Sequence, residues 1–129
     1  MAFATRHVSA TPDAIAPDGS QVRLLCITAR ASTAIFTLPA GAVAQAIMHR
    51  SVEEIWYVLA GRGRIWRRFG SSEEVTELSP GTSLTIPVGA HFQFRSEGAD
   101  ALSVVGATIP PWPGDGEAVF VAGPWPATA

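Results

Sequence analysis

Glycine and proline interrupt this sequence at short intervals from end to end, and that punctuation limits what it can fold into. With 12 Gly and 10 Pro among 129 residues, no segment keeps a 3.6-residue apolar period over four turns. The runs between them are rich in Val, Ile, Thr, Phe and Trp, which suit a pleated, half-buried surface. Many short runs separated by turn signals predict an all-β sandwich or barrel. The stretch 42–60, free of both residues, reads as two strands around a turn at Arg50-Ser51. The predicted strands are 21–30, 33–38, 43–49, 53–59, 63–69, 75–78, 83–86, 92–95 and 101–108.

The two ends read differently. Residues 11–19 are turn-like, and Asp18-Gly19 can start a hairpin. After Ile109 come Pro110, Pro111, Pro113, Pro124 and Pro126, with Trp112 and Trp125 among them. Proline at that density predicts no ladder pairing. The tryptophans predict a tail pinned across an apolar surface, closing the barrel or covering an edge. A tail that docks a partner is the alternative.

The length suits one domain, 1–129, with no internal boundary. All nine basic residues are Arg and the net charge is −2. No basic stripe exists to neutralise phosphates, so nucleic-acid binding is not expected. No basic-then-apolar leader and no run of membrane-spanning length is present, so a cytoplasmic protein with no membrane partner is expected. The single cysteine, Cys26, excludes an internal disulfide and reads as a small buried thiol in a strand.

The middle of the chain has a definite spacing. Gly41 is followed by five residues, Ile47, one residue, His49, four residues, Glu54, six residues and Gly61. Nineteen residues separate Gly61 from Gly81, which is followed by five residues, Pro87, one residue, Gly89, two residues, Phe92, three residues and Ser96. These two stretches, 41–61 and 81–96, resemble the two conserved motifs of the cupins. The whole run from Glu53 to Gly63 is similar to that of small single-domain bacterial members. The resemblance implies a jelly-roll barrel, or double-stranded β-helix, and a homodimer.

The resemblance also implies a metal site, and here this sequence departs from it. Cupins typically hold a divalent metal with three His and one Glu. Those positions here are Ile47, His49, Glu54 and Phe92, so two of the four carry no donor, and Ser96 stands where the second motif has Asn. Residues two apart on a strand share a face, so Ile47 with His49, Glu54 with Trp56 and Phe92 with Phe94 are expected to point into the barrel. Together these six form the predicted pocket. His91 restores a third ligand only if it turns inward in place of Phe92, giving His49, Glu54 and His91 as a set suited to Fe, Mn, Ni or Zn. Otherwise His49 and Glu54 hydrogen-bond each other inside an apolar barrel, and no cofactor is required.

Two classes of function follow. One is a protein that binds a small organic molecule in an apolar pocket. The other is a metal-dependent enzyme of the dioxygenase, decarboxylase or isomerase class using His49, Glu54 and His91. A metal-free acid/base enzyme using His49 and Glu54 is a third. Ile55, Tyr57 and Leu59 are expected to face outward, an apolar face suited to a second subunit. The cluster Arg62, Arg64, Arg67 and Arg68 reads as a charged hairpin edge, with an anion clamp as the alternative. Ser51 and His49 lack a third member for a hydrolase triad.

Overall fold

The computed structural model describes residues 2–129. Eleven strands follow in order: β1 Ala14–Ile15, β2 Gln21–Ile27, β3 Ser32–Leu38, β4 Ile47–His49, β5 Glu53–Ala60, β6 Gly63–Phe69, β7 Ser72–Leu78, β8 Ser83–Ile86, β9 His91–Ser96, β10 Leu102–Ile109 and β11 Ala118–Phe120. They form a six-stranded sheet in the order β1-β2-β3-β10-β5-β8 and a five-stranded sheet in the order β11-β4-β9-β6-β7. All pairings are antiparallel. This is a jelly-roll barrel. No helix among the described residues is long and apolar enough to cross a membrane.

Alternation explains the layers. In β5, Glu54, Trp56 and Val58 are buried, while Ile55, Tyr57 and Leu59 are about half exposed on the outer face. β10 pairs with β5 and β3 and buries Leu102, Val104, Gly106 and Thr108 on the same inner side. Leu38, Trp56, Val58, Ile65, Leu84, Phe92, Phe94 and Val104 belong to one core cluster between the sheets. Gly106 is required by a close approach: a Cβ there would stand 2.7 Å from the Phe36 ring and 3.2 Å from Trp56.

The C-terminal tail does pair, against the expectation from its prolines. The stretch between Pro113 and Pro124 is free of proline, and within it β11 pairs with β4 through Ala118, Val119 and Phe120. Beyond it the tail crosses the outside of the five-stranded sheet. The Gln93 side chain donates to the carbonyls of Ala44 and Trp125 (2.9 and 2.8 Å) and accepts from the Trp125 N–H at 3.2 Å. The Arg95 guanidinium lies 5.2 Å from the Trp125 ring centre. Glu117 of the same tail accepts the backbone N–H groups of Ser51 (2.8 Å) and Val52 (3.3 Å) and the Ser51 hydroxyl. The tail therefore fixes the turn that joins β4 to β5.

Cys26 is exposed, not buried. The pairing of β2 with β3 shifts register between Leu24 and Ile27, and Leu24, Cys26 and Ile27 around this bulge are exposed, so the burial usual for a cysteine does not hold here. The arginine cluster lies among carboxylates. β6 pairs with β7 so that Arg64, Arg67 and Arg68 stand opposite Glu77, Glu74 and Glu73. Arg67 donates to Glu74 at 2.7 Å and to the Thr85 carbonyl at 2.9 Å. Arg64 pairs with Glu97 at 3.2 Å. Charge along an exposed edge is the role these contacts support.

Candidate functional site

A cavity of about 520 Å³ opens between the sheets. Its lining includes five of the six predicted pocket residues, Ile47, His49, Glu54, Trp56 and Phe92. Each arrives by a separate rule of the fold. Ile47 and His49 are two apart on β4, Glu54 and Trp56 two apart on β5, and Phe92 stands opposite Ile47 in the β4–β9 register. The sixth, Phe94, is not in the lining. It packs beneath Trp56, ring centres 4.9 Å apart and edge-on, as part of the core.

His91 does not join the site. Phe92 and Phe94 take the inner face of β9 and are almost fully buried. Alternation puts His91 on the other face, half-buried and opposite Arg68 of β6. β9 has no bulge against β6 that would rotate it inward. Among the described residues no three His, Cys, Asp or Glu side chains gather where they could hold a metal. The set of His49, Glu54 and His91 is therefore not assembled.

His49 and Glu54 meet each other. His49 Nε2 lies 2.5 Å from Glu54 Oε2, with the side chains 3% and 4% exposed. Trp56 Nε1 donates to the other carboxylate oxygen at 3.1 Å. A carboxylate taking a hydrogen bond on each oxygen is an acceptor at both, so the imidazole proton sits on Nε2. Nδ1 is the other nitrogen of the ring. It is buried and has no partner among the described residues. Buried polar atoms without partners are few in proteins, and this one belongs to a residue of the cavity wall. The rings of Phe92 and Trp112 flank the imidazole edge-on, at 5.3 and 5.1 Å.

Three wall residues escaped the sequence reading. Phe36 lies inward on β3 between Ala34 and Leu38, and strand alternation alone could have found it. Trp112 comes from the proline-rich tail, where no periodicity exists; its N–H donates to Ser32 Oγ at 3.0 Å. Asp18 sits in the β1–β2 turn, where Asp-Gly signals only a turn. It is 6% exposed and lines the cavity. Its Oδ1 accepts both the Ser20 N–H (2.9 Å) and the Ser20 hydroxyl (2.7 Å).

Burial raises the Asp18 carboxyl above its ordinary value; the Ser20 hydrogen bonds oppose this, the Glu54 charge adds to it and His49 opposes it. A carboxyl with a raised folded pKa binds more protons folded than unfolded. Its contribution to stability is therefore lost as pH rises from the unfolded value through the folded one. Asp18→Asn keeps the shape and the Oδ1 acceptor but cannot ionise. The variant is expected to be more stable than wild type at about pH 7, the gap closing toward about pH 4. Urea unfolding at the two pH values checks this, and equal stability at both would contradict it.

The comparisons bear on the whole barrel. The family model described as "Cupin domain" matches residues 34–107, more than half of the chain, and that range contains both spaced motifs. The chain belongs to the cupin family. Among solved structures, this cupin is similar to a protein from Bacillus halodurans at 19% identity, covering 75% of each chain with a TM-score of 0.65. It is similar to KdgF from a Halomonas species at 20% identity, covering 81% of this chain and 86% of that one, TM-score 0.64. It also matches the capsular polysaccharide assembling protein CapF of Staphylococcus aureus at 16% identity and a TM-score of 0.68, spanning 91% of this chain but 32% of CapF. At these identities the likeness is one of fold. No curated protein matches the chain.

Cupins often hold a divalent metal, and the residues of this cupin do not fit the family's four-ligand site. Ile47 and Phe92, at two of the four positions, have no donor atom, and the two donors that remain face each other.

Proposed function

We propose that this cupin binds a small organic molecule in its barrel cavity, with no need of a metal. The observation that carries this reading is the buried His49 Nδ1, a polar atom without a partner among the described residues, in the wall of a cavity lined mainly by apolar and aromatic side chains. Apolar walls with a few fixed polar groups are the usual make-up of a small-ligand site. A polar group of a ligand that reaches Nδ1 pairs a buried atom that has no partner among the described residues. Glu54 holds the imidazole through Nε2, and Trp56 holds Glu54.

A thermal-stability screen of small organic molecules tests this. A ligand at a hundred times its Kd stabilises the fold by about 2.7 kcal/mol. The gain is expected to vanish in Val22→Trp, which puts a large ring among the wall residues on β2. Stabilisation that survives this substitution would place the ligand elsewhere. The second reading, a metal-dependent enzyme, is favoured by the retention of His49 and Glu54 at family positions inside the cavity. It requires a stoichiometric metal that is lost in His49→Ala, and elemental analysis of untagged protein decides between the two.

A further inference from the structure

The chemistry of the wall goes further and names a class of ligand. Four aromatic rings border the cavity, Phe36, Trp56, Phe92 and Trp112. Phe36 and Trp56 lie 6.1 Å apart and Trp56 and Phe92 6.0 Å apart, so their faces and edges enclose one space. Two buried carboxyl groups, Asp18 and Glu54, stand in the same wall, and Asp115 lies at its exposed rim. Apart from His49, the one basic side chain of the lining is Arg6. It is exposed and turned to Asp13 at 3.8 Å.

The unmet hydrogen-bonding capacity has a sign as well. His49 Nδ1 has no partner. Both Ser20 hydrogen bonds to Asp18 fall on Oδ1, and among the described residues Oδ2 receives none. The open oxygen of the Asp18 carboxylate is an acceptor. The wall hydroxyls of Ser32 and Thr108 bond each other. An anionic ligand meets carboxylates and ring faces of negative potential, whereas a cation is attracted by both.

We propose that the cavity is selective for an organic cation, a small alkyl- or arylammonium, whose charged end lies among these rings beside Asp18. This rests on the reading of the cavity as a small-molecule site. The apolar part of such a ligand occupies the remaining wall, and its N–H groups supply the donor that Asp18 Oδ2 lacks.

Three probes of similar shape test it by calorimetric titration: 2-phenylethylammonium, 2-phenylethanol and 3-phenylpropanoate. The ammonium is expected to bind about tenfold or more tighter than the alcohol, and the carboxylate weakest of all. Asp18→Asn is expected to remove most of the preference for the ammonium over the alcohol, with its urea unfolding midpoint reporting an intact fold. Phe36→Leu, which removes one ring without touching a carboxyl, is expected to reduce the preference in the same direction. Equal binding of alcohol and ammonium, or tighter binding of the carboxylate, overturns the selectivity and leaves the small-molecule site standing. A preference unchanged in both variants overturns the assignment to Asp18 and the rings. Binding of none of the three overturns both readings.

Discussion

Replacing Ile47 and Phe92 together by histidine is expected to turn this barrel into a stoichiometric metal binder. The two residues are direct partners across the β4–β9 pairing and are 2% and 1% exposed. Ile47 lies two residues from His49 on the same face, and Glu54 is already within hydrogen-bonding distance of His49. The double substitution therefore puts four donors where the family has them. Without metal the variant should be less stable by about 3 kcal/mol or more, since it trades a packed Phe and Ile for buried imidazoles. With Zn, Ni, Mn or Fe at a thousand times its Kd, about 4 kcal/mol returns. Urea midpoints with and without chelator, alongside elemental analysis, measure both arms. A variant that folds but takes up no metal would mean that the cavity differs from the family site in geometry and not only in donors.

That comparison shows what could be read from the residues. Turn spacing and strand alternation are local and strict, so the barrel, eight of the nine predicted strand positions and the inward set on β4, β5 and β9 were all legible, although the strand predicted over 21–30 ends at Ile27. The ninth, 43–49, forms a strand only from Ile47 to His49, with Val43 reduced to an isolated bridge to Arg95. Phe92 facing inward in place of His91 followed from alternation and apolar burial together. What remained hidden depends on long-range placement. Trp112 reaches His49 because its N–H is held by Ser32 Oγ and because β11, which follows it in the chain, pairs with the strand that carries His49. Asp18 enters the wall because its turn is tied to the far side of the barrel, its carbonyl accepting the Gln45 N–H at 2.8 Å. Neither carries a periodic signal. Cys26 failed for another reason: its burial was inferred from the residue type and the strand around it, and neither registers the bulge beside it.

The second large effect is expected at Glu54. Glu54→Leu leaves the Trp56 Nε1–H and the His49 Nε2–H buried with no acceptor, since Glu54 takes both. Each stranded buried donor costs about 1–3 kcal/mol, so the single variant should lose roughly 2–6 kcal/mol. Replacing the whole network by apolar residues of similar size, Glu54→Leu with His49→Leu and Trp56→Phe, removes the stranded donors as well as their acceptor. Such a swap can be nearly neutral. The triple variant should therefore regain most of the stability that Glu54→Leu loses, a strongly non-additive result. Recovery would mean that the fold does not depend on His49, Glu54 and Trp56 as a polar unit. Their presence in the cavity wall would then be explained by what they hold there, an imidazole aimed by a carboxylate. A triple variant as unstable as the single one would instead make the network a structural element, with packing around Trp56 that no apolar substitute reproduces.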